Sequence, residues 1–168
     1  MFLTGTYQRN LDEKCRFAIP KRVRDTLAPS GNLVLYMAPG TDGSLVVYTE
    51  QVFAQLGDHL GQGPLNGQEV RAFSRMFYAQ AQRVEVDRQG RARIPVELAG
   101  LASLKKEIVL LGVRDHLEIW NRQSWETYLN ARQPYYDDIA EGAFGKPPGD
   151  SESKPQATPT NPLPPQPR

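Results

Sequence analysis

The chain has 168 residues, 39% hydrophobic and 23% charged, with a net charge of +1. No apolar run approaches the roughly 20 residues that cross a bilayer, and MFLTGTYQRN lacks the basic start and apolar core of a signal peptide, so the expected compartment is the cytoplasm and no membrane partner is expected. Cys15 is the single cysteine, which excludes an internal disulfide and a multi-cysteine zinc site, and with only His59 and His116 beside it no metal site is expected.

Tyr7 to Leu11 alternates in character as an exposed strand does, and Asp12 to Arg16 then reads as a turn. A short strand leads to Ile19, and Pro20 opens a helix at a position where its missing N–H costs nothing, with Val23 and Leu27 at helical spacing. A β-hairpin follows, made of LVLY and LVVY around APGTDGS. Thr49 then caps an amphipathic helix with Val52, Phe53 and Leu56 on its apolar face. In EVRAFSRMFYAQA, Val70, Phe73, Met76 and Phe77 predict a second, buried helix face.

The pattern then starts again. Arg83 to Val86 is strand-like, Asp87 to Arg91 is a turn, and a short strand reaches Ile94 before Pro95 opens a helix carrying Leu98 with Leu101 or Ala102. IVLL and LEIW form a hairpin around GVRDH, and Asn121 caps a helix with Trp125, Tyr128 and Leu129 on one face. Trp120, Trp125, Phe53 and Tyr48 are expected to be core residues rather than a ligand platform. From Gly145 the composition predicts a disordered proline-rich tail ending in PLPPQP, a segment able to adopt polyproline II.

DEKCRFAIP at Asp12 and DRQGRARIP at Asp87 share the spacing Asp-x-x-x-Arg-x-x-Ile-Pro, 75 residues apart. The same offset sets Ile108–Leu111 on Leu33–Tyr36, and an offset of 72 sets Leu117 on Leu45. The chain therefore reads as a duplicated unit. The expected fold class is α+β, with residues 1–80 as a first repeat plus connecting helix, 81–144 as a second, and 145–168 as the tail. Neither repeat alone buries enough apolar surface to be stable, so the two should share one core in a pseudo-two-fold barrel flanked by short helices, with both turns on one side.

Residues 1–40 hold six bases against three acids and residues 81–97 four against three, while the stretches between are acidic. Both turns thus lie in basic segments. Asp12 and Asp87 are expected to shape their turns by accepting backbone N–H bonds and facing the arginine across the turn. Arg16 with Lys14, and Arg91 with Arg88 and Arg93, exceed what one carboxylate neutralises, and surplus guanidinium groups suit phosphates and the guanine edge.

DEKCRFAIPKRVRDTL, PGTDGSLVVY, RAFSRMFYAQA, VEVDRQGRARIPVEL and HLEIWNRQSWETY resemble the MraZ proteins, transcriptional regulators found at the head of the bacterial division and cell wall gene cluster. The likeness covers Met1 to about Tyr136. It implies a fold similar to the AbrB swapped-hairpin barrel, formed within one chain, ring-shaped homo-oligomers, nucleoid association, and binding to short direct repeats in the promoter DNA of its own operon. Carried over by residue, it places DNA contact on Arg16 with Lys14, on Arg91 with Arg93, and more weakly on Arg9. It implies no cofactor and no small-molecule substrate.

The family usually has glycine where this chain has Cys15. Gly90 keeps the left-handed conformation open in the second turn, whereas Cys15 in that conformation costs about 1 kcal/mol. The first turn is therefore either reshaped or tolerant of a small side chain. A thiol between Lys14 and Arg16 is expected to be exposed with a depressed pKa, which raises a redox role; neither histidine is placed to make it catalytic, so no enzyme is expected. The competing function is a ring-forming structural scaffold whose arginines only close ion pairs.

Overall fold

The structure, a computed structural model, describes residues 2–28, 31–62 and 67–145. The expected tail lies outside these residues except for Gly145. By compactness the chain divides into two units, Met1–Ala131 and Arg132–Arg168.

In the first unit the strands are β1 (Thr6–Asn10), β2 (Arg16–Ala18), β3 (Val34–Pro39), β4 (Leu45–Thr49), β5 (Gln82–Glu85), β6 (Arg91–Arg93), β7 (Glu107–Val113) and β8 (His116–Asn121). The helices are α1 (Lys21–Leu27), α2 (Glu50–Gln62), α3 (Gln68–Gln80), α4 (Val96–Leu101) and α5 (Arg122–Arg132). This is a mixed α+β fold. Six strands form one antiparallel sheet in the order β1-β7-β8-β4-β3-β5, and β2 and β6 form a separate two-stranded ribbon. Among the described residues the hydrogen-bonded sheet is open, ending at β1 and β5, and does not close into a ring. The N-terminal β1 pairs with the late β7, while β5 pairs back with the early β3.

Alternation along the hairpins sorts side chains between two faces. Leu35 and Met37 of β3, Leu45 and Val47 of β4, Ile108 and Leu110 of β7, and Leu117 and Ile119 of β8 enter the main core. Val23 and Leu98 from α1 and α4 join them, with Phe17 and Ala92 from the ribbon. On the opposite face Ala38, Val46 and Phe77 gather with Phe53, and Val109, Leu111 and Trp120 gather with Trp125 and Tyr128. The aromatic residues expected in the core thus pack there, although Trp125, Tyr48 and Phe53 remain only partly buried.

Several local expectations are corrected. Pro20 and Pro95 are N-caps with extended ψ of 138° and 139°, one residue before the helix proper. The registers Arg9↔Ile108 and Val84↔Leu35 set Ile108 beside the position of Leu35 rather than Leu33. A slip of two residues keeps every side chain on its own face, so the hydrophobic pattern could not reveal it. On α4 it is Ala102, just past the helix end, that is buried, and Leu101 is exposed. On α3 only Phe77 is buried, with Phe73 45% and Met76 64% exposed. Adjacent positions on a helix point about 100° apart, so Met76 turns away from the strip of sheet that Phe77 covers. Thr49 and Asn121 cap as expected: Thr49 Oγ1 accepts from Val52 N at 3.4 Å, and Asn121 Oδ1 from Gln123 N at 3.0 Å and Ser124 N at 3.3 Å.

The second unit, described as far as Gly145, contains a 3-10 turn (Gln133–Tyr135) and α6 (Tyr136–Phe144), with Asp137 and Asp138 in the first helical turn.

β8 and the residue before it carry a polar cluster that no sequence motif marks. His116 Nδ1 lies 2.8 Å from Asp115 Oδ1 and its Nε2 lies 3.7 Å from Glu118 Oε1, whose other oxygen accepts from Trp120 Nε1 at 2.8 Å. Hydrogen bonding to Glu118, then to Asp115, raises the His116 pKa against the opposing effect of burial. A raised folded pKa stabilises below the unfolded value near 6.5 and is lost as pH climbs through the folded value. The melting temperature of the wild type should therefore fall between about pH 6 and pH 8, and His116→Gln should flatten that part of the profile. Equal slopes in both proteins would remove His116 as the cause.

Candidate nucleic-acid interface

Each Asp-x-x-x-Arg segment is the same tight turn between two strands. Cys15 N donates to Asp12 O at 3.0 Å and Asp12 N to Arg16 O at 2.9 Å; Gly90 N donates to Asp87 O at 2.9 Å and Asp87 N to Arg91 O at 2.9 Å. This is a three-residue loop whose last residue must take the left-handed conformation. Cys15 does so with φ 59° and Gly90 with φ 77°. The first turn is therefore not reshaped, and Cys15 carries the strain of a side chain at positive φ.

The aspartates hold these turns together. Asp12 Oδ1 accepts from Lys14 N and Arg16 N, both at 2.9 Å, and Oδ2 accepts from Arg16 Nε at 2.7 Å. Asp87 repeats the set, with Gln89 N, Arg91 N and Arg91 Nε all at 2.9 Å. Both carboxyl groups sit below the usual aspartate range, chiefly through the backbone N–H of Arg16 or Arg91. The arginines spend only Nε on the turn. Their Nη groups make no hydrogen bond among the described residues.

The turns lead into the ribbon. Arg16 pairs with Arg93, Phe17 with Ala92 and Ala18 with Arg91, and Ile19 N and Ile94 N reach the carbonyls of Gly90 and Cys15 at 2.9 Å. Phe17 and Ala92 point into the core. Arg16, Ala18, Arg91 and Arg93 therefore share the outer face, three guanidinium groups out of four positions. Because the strands run antiparallel, the turns stand at opposite ends of this ribbon, roughly 13 Å apart at strand spacing. Lys14 and Arg88 are exposed at the turn tips.

Arg9 is placed differently. Its Nε donates to Ala18 O at 2.9 Å and its Nη1 to Gln8 O at 2.7 Å, which braces β1 against the ribbon. Cys15 also departs from expectation: it is partly buried against the main core, and desolvation raises its pKa, outweighing the opposing pull of Arg93. The flanking cations do not produce an activated thiolate. Among the described residues no three His, Cys, Asp or Glu side chains cluster as metal ligands would, and no helix is long and apolar enough to cross a membrane.

The sequence did not show that Arg16 and Arg93 face each other. The alternation R-F-A against R-A-R carried that signal, once the two segments are allowed to pair with each other.

A family described as "MraZ protein, putative antitoxin-like" matches residues 77–144. The chain is 38% identical over 142 residues to "Transcriptional regulator MraZ" of Finegoldia magna, covering 84% of this chain and 96% of that one. It is 36% identical over 141 residues to the protein of the same name from Heliobacterium modesticaldum, with coverage of 84% and 95%. With the Salinispora arenicola protein of that name it shares 37% over 144 residues, covering 86% and 98%. Relatives of 36–38% identity, matched over nearly their whole length, show that the chain belongs to the MraZ family.

Proposed function

We propose that the chain is a sequence-specific DNA-binding transcriptional regulator of the division and cell wall gene cluster, which binds short direct repeats in its own promoter through its two Asp-x-x-x-Arg turns. The observation that carries this reading is the outer face of the ribbon, where Arg16, Arg91 and Arg93 lie together between two turns of one geometry. A two-stranded ribbon fits the major groove of B-DNA, and guanidinium groups match both phosphates and the guanine edge. Three guanidinium groups against two carboxylates leave positive charge that a purely structural scaffold would not need. The curated relatives are named as transcriptional regulators, which agrees with this reading.

The same proposal covers the architecture. The crossed pairing of β1 with β7 and of β5 with β3 fits two AbrB-like swapped hairpins, residues 1–80 and 81–144, sharing one core. The working form is a cytoplasmic, nucleoid-associated ring of identical chains. Repeated half-sites and repeated subunits then act together through effective concentration. No substrate, cofactor or catalytic residue enters this mechanism.

Footprinting upstream of the protein's own gene, repeated at rising salt, tests it. Protection of short repeats is expected, with affinity falling by about 10³-fold or more between about 50 and 200 mM salt if an assembly engages six or more phosphates. A flat salt response, or no protection, would overturn the DNA reading in favour of the scaffold.

A further inference from the structure

Cys15 and Gly90 occupy the same place in their turns, and the helices beside them differ in a complementary way. Counting along the repeat, Arg24 of α1 matches Ala99 of α4. At the second turn the Arg24 guanidinium lies against the backbone of Gly90: a Cβ there would stand 2.5 Å from its Cζ and Nη1 and 2.7 Å from Nε. At the first turn the side chain sits on the turn itself, as Cys15, and the matching helix position carries only the methyl of Ala99. The glycine is what makes a seat for the arginine.

The fold does not otherwise use that arginine. Its Nε is shut off from solvent and has no hydrogen-bond acceptor among the described residues. Among the described residues no carboxylate forms an ion pair with it, and its Nη groups, unbonded, remain open to solvent. Beside it is a cavity of about 270 Å³ whose walls include Arg24, Arg88, Asn32, Asp25 and Asp87. Asp87 already accepts three hydrogen bonds from its own turn. A guanidinium that is partly desolvated and forms no ion pair among the described residues is set up for an external oxyanion, and the cavity has room for a phosphate group.

We propose that Arg24, together with Arg88, holds a phosphate of the DNA backbone beside the second turn, an anchor that the first turn lacks. This rests on the DNA-binding reading above. The two turns then grip DNA unequally. Phosphate contacts fix position and orientation without reading sequence, so the anchor gives each chain a direction on the duplex. A symmetric pair of turns would suit inverted half-sites, whereas a directional one suits direct repeats.

The test measures affinity of the full chain for a duplex carrying the upstream repeats and for a random duplex, across about 50 to 200 mM salt. Arg24→Gln should weaken both duplexes by the same factor, several-fold, and lower the salt slope by about one. Arg24→Lys should keep the slope. Arg24→Met, a second uncharged variant that keeps the stem, serves if Arg24→Gln fails a melting check. A wild-type slope in the uncharged variants would overturn the anchor, and so would a loss confined to the repeat duplex, which means base reading. If the wild type itself shows no salt-dependent binding, the DNA reading falls first and the anchor with it.

Discussion

With Arg16 and Arg91 both replaced by alanine, the chain should keep its melting temperature and assembly state while binding promoter DNA about a hundredfold more weakly or worse. The estimate follows from about 1–3 kcal/mol for each guanidinium that engages a base edge. Each arginine donates only Nε to its turn, and after its removal the aspartate still accepts two backbone N–H groups from that turn. Ion pairs this open to solvent, with side chains 28–37% exposed, add little to stability, so the turn should survive. Gel-shift titration against the repeat duplex reads the affinity, and a thermal melt reads the fold. Unchanged affinity would remove both arginines from the interface. A collapsed melt would make them structural.

The neighbouring residue should do the reverse. Phe17 is 2% exposed and faces the core from the strand that presents Arg16 outward. Truncating a buried phenylalanine to alanine costs about 3–5 kcal/mol, a large part of the total stability of a domain. For a domain of this size that lowers the melting temperature by about 10–15 °C. Phe17→Leu, which refills most of the space, should recover much of the loss. Below its melting point Phe17→Ala should retain the salt slope of DNA binding, because it removes no charge. A melting temperature within about 2 °C of the wild type would show that the inner face of the ribbon contributes little to the core.

These opposite expectations for adjacent residues show what could be read from the chain beforehand. The doubled spacing announced the turns, because an aspartate, a left-handed residue and an arginine must fall at fixed places to close such a loop. The caps at Thr49 and Asn121 were legible for the same reason: local chemistry settles them. What failed depended on partners distant in sequence. The burial of Phe73 and Met76 could not be judged without knowing which strip of sheet α3 covers. The register of Ile108 could slip by two residues because a period of two is blind to it. The thiol of Cys15 was misjudged because its charged neighbours are visible in sequence and its burial is not. The seat of Arg24 was not legible because it is a glycine 66 residues further along.

The pairing of β1 with β7 and of β5 with β3 also has a consequence in time. A ribosome adds about 5–20 residues per second, so β1 waits roughly 5–20 s after its own synthesis before β7 exists to pair with it. For most of that interval β2 has no β6, and the first turn has no ribbon to lead into. A chain halted between residues 85 and 107 would hold β5 on β3 and leave β1 as an unsatisfied edge, open to strands from other chains. Long-range pairing of this kind also folds slowly. The ribbon that joins the two turns, and the sheet edge at β1, are thus completed late, as the last third of the folded part leaves the ribosome.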